Sequence, residues 1–117
     1  MEKLYEAELR LMEIIWNYEP IAAKKISIFS AEQLGWNKNT TYTVLKRLIE
    51  KGVLMREEPG FICSSLIKRN EMQKTETNSL IEKMFDGSKK AFFASFSDET
   101  LSKDEIKTLR ELIEKKD

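Results

Sequence analysis

The chain has 117 residues, of which 34% are charged, with 20 basic and 20 acidic side chains. One cysteine and no histidine exclude an internal disulfide, make a zinc site unfavourable, and remove the base that a serine or cysteine nucleophile needs. The amphipathic pattern that follows Leu4 directly leads us to expect no secretory signal, and no run approaches the roughly 20 apolar residues that span a bilayer. We therefore expect a cytoplasmic protein that is not an enzyme and that binds no cofactor or metal.

The N-terminal part of the sequence predicts two helices. Apolar residues at steps of three and four from Leu4 to Tyr18 predict a first helix with one buried face. A second helix is predicted over residues 21–34, with Pro20 at its start and Gly35 as the residue that ends it. Two helices in this order form the scaffold of a helix-turn-helix.

A third helix is predicted from Asn37, a favourable N-cap, to Gly52. Its first turns are rich in asparagine and threonine, which form helix weakly but carry hydrogen-bonding groups. Such a composition is typical of a helix that meets base edges in DNA. The residues predicted to pack inward are Thr41, Val44, Leu45 and Leu48.

Two short strands are predicted next, at Val53–Glu57 and Phe61–Leu66, with Pro59-Gly60 favouring a type II turn between them. A helix followed by a hairpin predicts a winged helix-turn-helix in residues 1–68, with a small wing of two or three strands. Residues 36–56 hold five basic residues against one acidic residue, a local charge of +4. This basic segment is the one that would face phosphate.

The outer face of the third helix is the predicted DNA-binding surface. Asn39, Thr40 and Thr43 can exchange hydrogen bonds with base edges, and Tyr42 can reach the sugar-phosphate backbone. The basic residues predicted to bind DNA, the last three of them as phosphate contacts, are Lys38, Lys46, Arg47 and Arg56. Two alternatives remain open: Arg47 can pair with Glu50 instead, and the whole face can bind protein in a winged-helix interaction module without DNA specificity.

Residues 69–117 are predicted to form a helical arm, which makes the whole chain mainly α. The first helix of this arm runs from Lys68 to Phe85 and is broken at Asp86-Gly87-Ser88. A short helix then extends to Phe96, and Ser102 with Glu105 forms a capping box for the last helix.

So short a segment seldom buries a sufficient core alone, yet its helices carry apolar faces that need a cover. These faces can fold back on residues 1–68, but we favour a homodimer, because a two-fold dimer presents two recognition helices to a dyad site. The residues predicted to form the dimer are Leu80, Ile81, Met84, Phe85, Phe92, Phe93, Phe96, Ile106, Leu109, Leu112 and Ile113.

Two stretches resemble the penicillinase-repressor family: Glu6-Ala7-Glu8-Leu9 with Met12-Glu13-Ile14-Ile15-Trp16, and the run from Asn37 to Gly52. The resemblance covers nearly the whole chain, includes the Asp86-Gly87-Ser88 break, and is closest to the antibiotic-resistance (BlaI/MecI) branch. It implies a dimeric winged-helix repressor that binds a dyad DNA operator, controls β-lactamase or related resistance genes, and is released by loss of dimerisation.

The resemblance also implies how the repressor is inactivated. In the antibiotic branch, a membrane sensor-protease triggers cleavage of the dimerisation arm at an Asn-Phe bond. The matching position here is Ser95-Phe96, which keeps the phenylalanine and replaces the asparagine. The C-terminal Cys-x-Cys pair of the copper-responsive (CopY) branch is missing from this sequence, so copper sensing is not expected.

Overall fold

The computed structural model describes residues 3–95 and 102–114, with the side chains of the last helix described as far as residue 111. Two compact units divide the chain, Met1–Lys74 and Thr75–Asp117. The elements in chain order are α1 (Glu6–Tyr18), β1 (Ile21–Ala22), α2 (Ala23–Leu34), α3 (Lys38–Glu50), β2 (Leu54–Glu57), β3 (Ile62–Ser65), α4 (Arg69–Phe85), α5 (Lys89–Ala94) and α6 (Lys103–Glu114). The predicted fold class, mainly helical with a winged helix-turn-helix, is confirmed.

Helices α1, α2 and α3 pack around one apolar core in the first unit. Most of the apolar stripe of α1 is buried, although Tyr18 at its end is exposed, and α3 contributes the face that its sequence predicts. Burial of such side chains stabilises the fold by about 1.5–3 kcal/mol each. The core residues from these helices are Leu11, Met12, Ile14, Ile15, Ala23, Ile26, Val44, Leu45 and Leu48.

The prediction that the second helix begins at residue 21 was wrong. Ile21 and Ala22 instead form β1, which pairs antiparallel with β3 and gives a three-stranded sheet in the order β1-β3-β2. Helix α2 begins at Ala23, whose backbone N–H donates to the carbonyl of Phe61 at 2.9 Å. Pro20 therefore precedes a strand and not a helix. A pair of apolar residues has no measurable period, so the sequence alone does not distinguish the two structures.

The turn between α2 and α3 follows its sequence closely. Gly35 ends α2 in the left-handed conformation, with φ of +71°. The side chain of Asn37 accepts a hydrogen bond from the N–H of Thr40 at 2.8 Å and so caps α3 as predicted. A buried hydrogen bond joins the Ser30 and Thr41 hydroxyl oxygens at 2.5 Å, and this hydroxyl pair fixes α3 against α2.

Strands β2 and β3 form the predicted wing hairpin, each slightly shorter than its sequence suggested. Their register places Arg56 opposite Cys63 and Glu57 opposite Ile62. Gly60 has a φ of +97°, the sign that the predicted type II turn requires at this position. The carboxylate of Glu19 accepts hydrogen bonds from both the N–H and the hydroxyl of Ser65, at 2.7 and 2.8 Å, and attaches the base of the wing to the end of α1.

The first turn of α4 belongs to the first unit. The indole N–H of Trp16 donates to the carbonyl of Ile67 at 2.9 Å, and the Arg69 guanidinium donates to the side-chain oxygen of Asn17 at 2.6 Å. Met72 is buried in the same core as α1 and α3. The boundary between the two compact units therefore follows Lys74, whereas the sequence predicted a boundary between residues 68 and 69.

The second unit shows the predicted breaks and caps. After α4, Gly87 takes a positive φ of +80°, and the Ser88 hydroxyl accepts from the N–H of Ala91 at 3.0 Å to begin α5. Ser102 and Glu105 form the predicted reciprocal capping box, with distances of 3.0 and 3.1 Å. Across residues 3–95 and 102–114, no helix is long and apolar enough to cross a membrane.

Candidate nucleic-acid interface

The predicted DNA contacts lie on the exposed face of α3 and on β2. The cap at Asn37 and the buried inner face orient α3 so that its polar residues point to solvent. Tyr42 is half-buried and the others are exposed. The exposed residues are Lys38, Asn39, Thr40, Thr43, Lys46 and Arg47 on α3 and Arg56 on β2.

A row of two aromatic rings with a basic side chain at each end connects α3 to the wing. Lys38 Nζ lies 5.8 Å from the centroid of the Tyr42 ring, and Tyr42 meets Phe61 edge to face, with centroids 5.8 Å apart and an interplanar angle of 78°. The guanidinium carbon of Arg56 lies 3.6 Å from the Phe61 centroid. We call these four residues the basic-aromatic row. Phe61 was not among the predicted site residues, because its contacts are tertiary and its only local signal is a place after the Pro-Gly turn.

Arg56 is paired with a carboxylate on its own hairpin. Its Nε donates to Glu58 Oε1 at 2.6 Å, and its Nη2 lies 2.5 Å from the same oxygen. The hydrogen bond from Arg56, with a second one from the Phe61 N–H, holds the pKa of Glu58 below its ordinary value. The positive charge of Arg56 is therefore partly balanced, and a phosphate at this point meets the pair instead of a lone cation.

Lys51, at the end of α3, turns inward. Its Nζ donates to Glu8 Oε1 at 2.7 Å and to the Lys3 carbonyl at 2.9 Å, and it lies 4.5 Å from the centroid of the Tyr5 ring. The side chain of Glu8 is 0% exposed and that of Lys51 is 12% exposed. This buried ion pair joins α1 to α3. Neither partner was predicted to form it, since 43 residues separate them.

The charge count of residues 36–56 therefore overstates the basic surface. Of the five basic residues counted, Lys51 is engaged by Glu8 and Arg56 by Glu58. Arg47 makes no ion pair with Glu50 within 4.0 Å in the part of the chain that the structure describes, so the alternative pairing of Arg47 is not formed. The basic side chains of this segment without a paired carboxylate, within the described residues, are Lys38, Lys46 and Arg47.

The predicted dimer residues are in differing environments within the second unit. Leu80 and Met84 on α4 are 46% and 69% exposed, whereas Ile81 is already buried. Phe85, Phe92 and Phe93 are half-buried and form an aromatic cluster with centroid separations of 5.5 and 5.1 Å. Ile106 and Leu109 on α6 are also half-buried. Phe96 and the side chains of Leu112 and Ile113 lie outside the described residues.

Three helices with an antiparallel hairpin after the third define the winged helix-turn-helix class. Within that class, the chain belongs to the penicillinase repressor family, whose model matches residues 4–115. The family resemblance predicted from the sequence is thereby confirmed.

Individual relatives are similar to this chain over nearly its whole length. The methicillin resistance regulatory protein MecI of Staphylococcus aureus is 31% identical over 120 residues, covering 97% of this chain and 98% of that protein. The penicillinase repressor of Bacillus licheniformis is 25% identical over 115 residues, covering 96% and 90%. Among solved structures, the chain is similar to the solution structure of the Bacillus licheniformis BlaI monomeric form in complex with the blaP half-operator. That similarity has a TM-score of 0.52 and 28% identity and covers 60% of this chain and 88% of the other.

Proposed function

We propose that the protein is a sequence-specific DNA-binding transcriptional repressor of β-lactamase or related resistance genes, acting in the cytoplasm. The observation that carries this proposal is the exposed polar face of α3 in a fold whose solved relative is in complex with a half-operator. The hydroxyl pair fixes α3 to α2, and the buried ion pair fixes it to α1. A helix held in this way loses little conformational freedom on binding, which favours affinity.

In this proposal, α3 enters the major groove. The Asn39 side chain suits an adenine edge, and Thr40 and Thr43 offer hydroxyl groups to bases and methyl groups to thymine. Lys46 and Arg47 bind phosphate, which positions the helix without selecting sequence. All of these side chains are exposed, so they are available without rearrangement of the core.

A homodimer through the second unit completes the proposed repressor. The support is the exposure of Leu80 and Met84 on α4, next to the aromatic cluster of Phe85 with Phe92. Two linked recognition helices bind a dyad operator more tightly than one, because binding of the first raises the effective concentration of the second. Loss of dimerisation therefore releases the DNA without any ligand chemistry in the first unit.

The proposed inactivation is cleavage by a membrane sensor-protease, as the family resemblance implies. Ser95 is exposed at the end of α5, where its N–H donates to the Ala91 carbonyl at 3.2 Å. A bond at Ser95-Phe96 would lie next to the helices that carry the proposed dimer surface, so its cleavage would weaken dimerisation.

The test of DNA binding is a salt-varied titration of the full chain with duplex DNA from upstream of its own gene and with scrambled duplex. We expect a strong preference for the upstream duplex. Lys46→Ala should weaken binding to both duplexes and reduce the log-log salt slope by about 0.9, because one counterion-releasing contact is lost. Thr43→Ala should weaken specific binding more than non-specific binding.

Lys83→Ala is the matched control, since Lys83 is also exposed but lies on α4 in the second unit. It should leave the salt slope unchanged. An unchanged slope in Lys46→Ala removes Lys46 from the phosphate contacts. The absence of binding to any duplex at low salt refutes the repressor and favours the winged-helix protein-interaction module.

Dimerisation is tested separately by sedimentation velocity of the full chain. Met84→Lys places a charge on the proposed interface and should shift the protein towards monomer. Met55→Lys is the control, because Met55 is also exposed, at 37%, but lies on β2. A wild-type protein that sediments as a monomer at micromolar concentration, or equal effects of the two substitutions, contradicts this interface.

A further inference from the structure

Phe61 has an unfavourable backbone conformation for a large residue. Its φ is +51°, in the left-handed region, directly after Gly60 at +97°. A bulky side chain in this region is disfavoured relative to the ordinary helical or extended regions, because Cβ comes too close to the backbone. A turn that only reversed the chain would favour glycine or asparagine here. The presence of a phenylalanine at this position therefore indicates that its ring has a specific role.

The backbone of Phe61 is fixed on both sides. Its N–H donates to Glu58 Oε2 at 3.1 Å, within the wing turn. Its carbonyl accepts from the N–H of Ala23 at 2.9 Å, at the start of α2. The bond from Ala23 ties the tip of the wing to the helix-turn-helix, and together the two bonds fix the backbone that carries the ring.

The fixed ring lies between the wing and the recognition helix. One contact is with Tyr42 of α3, and another is with the Arg56 guanidinium of β2, 3.6 Å from the ring centroid. Glu58 occupies the Nε and Nη2 side of that guanidinium. Since a guanidinium carries five N–H donors in a planar fork, the Nη1 side stays available to a phosphate oxygen.

We propose that Phe61 is a positioning residue of the DNA interface, which holds Arg56 at a fixed distance from α3 so that the wing and the recognition helix bind DNA as one surface. This inference rests on the proposed function, because it assigns Phe61 to the same DNA-binding surface. The ring itself need not touch DNA. Its effect passes through Arg56: Glu58 holds one edge of the guanidinium and the ring holds its face, so less rotamer freedom remains to be lost when Arg56 binds phosphate.

The test is a double-mutant cycle in the full chain, measured as affinity for the operator duplex. Phe61→Leu removes the ring but keeps an apolar side chain, and it should weaken binding roughly three- to tenfold, the range of a lost cation–π contact. Phe61→Tyr keeps the ring and should bind as wild type does. In an Arg56→Gln background, Phe61→Leu should have almost no further effect, because the residue that it positions is gone.

A second measurement does not depend on DNA. The Arg56 Nε–H resonance should be shifted upfield by the ring current in the wild type and in Phe61→Tyr, and should return to its ordinary position in Phe61→Leu. Full binding by Phe61→Leu, an equal loss in the Arg56→Gln background, or an unshifted resonance in the wild type overturns the inference. If wild type binds operator and scrambled duplex equally, the proposed function fails, and the resonance still reports on the contact between ring and guanidinium.

Discussion

Replacement of Lys51 by methionine should destabilise the first unit strongly. The substitution removes the ammonium and leaves the Glu8 carboxylate fully buried, with the Tyr5 N–H, at 2.7 Å from Oε1, as its remaining hydrogen-bond donor among those described. Among the described residues, Glu8 Oε2 has no hydrogen-bond partner even with Lys51 in place. Removing one member of a buried ion pair costs about 3–5 kcal/mol, most of it from the uncompensated charge. That is a large part of the stability of a small domain.

The assay is urea or thermal unfolding followed by tryptophan fluorescence. The two tryptophans, Trp16 and Trp36, both lie in the first unit, so the signal reports the unit that contains the ion pair. A loss of 3 kcal/mol should lower Tm by roughly 10 °C or more. Lys46→Met is the matched control: it makes the same substitution on the exposed face of α3 and should change stability by less than about 0.5 kcal/mol.

The effect of Lys51→Met should depend on pH. Burial raises the pKa of Glu8, but the hydrogen bonds from Lys51 and Tyr5 and the charges of Lys51 and Arg47 outweigh it and hold the pKa below its ordinary value. The ion pair therefore stabilises the wild type fully at pH values above the ordinary pKa of a glutamate. This stabilisation is lost as the pH falls through the lowered pKa that Glu8 has in the folded state.

In the variant, burial dominates and raises the pKa of Glu8, so acid relieves the strain by protonating the carboxyl group. The difference in stability between Lys51→Met and wild type should therefore shrink as pH falls from 7 towards 4. A second variant, Glu8→Leu with Lys51→Met, should recover much of the loss at pH 7, because it removes both charges. A difference below 1 kcal/mol at pH 7, or one independent of pH, would refute the reasoning.

Three further predictions concern the scaffold of the first unit. Thr41→Val breaks the hydroxyl pair and should cost about 1–3 kcal/mol in urea unfolding, whereas Thr43→Val on the exposed face should cost little. Cys63 is buried, and burial raises the pKa of its thiol to about 11, so at pH 8 it should react slowly with a thiol reagent until urea unfolds the protein. Gly35→Ala meets no atom within 4 Å but retains the positive φ, and it should lower the free energy of unfolding by about 1 kcal/mol.

The parts of the fold that the sequence predicted are those set by local rules. The cap at Asn37, the glycine at the end of α2 and the inward face of α3 depend on neighbouring residues and on helical period. Strand β1 could not be predicted in this way, because Ile21 and Ala22 become a strand only through pairing with β3. Local patterns contain no information about a partner that lies far along the chain.

In the candidate site, too, the residues predicted from the sequence are those that local patterns identify. The exposed residues of α3 were found from the helical wheel, which needs only the sequence of that helix. The buried ion pair and the basic-aromatic row were missed, because each joins side chains from different elements. A charge count along the chain treats Lys51 and Lys46 alike, although one is paired with a buried carboxylate and the other is exposed.

Three separate contacts therefore hold α3 in position: the hydroxyl pair, the buried ion pair, and the edge-to-face contact of Tyr42 with Phe61. This arrangement separates residues that position the helix from residues that bind phosphate. Lys51→Met and Lys46→Ala each remove one positive charge from the same segment. If Lys51 only holds α3 in position, its loss should weaken DNA binding or stability but leave the salt dependence of binding unchanged. The loss of Lys46 should reduce the slope of that salt dependence. Equal reductions in the slope would mean that the ammonium of Lys51, despite its pairing with Glu8, also contributes to the electrostatic attraction of DNA.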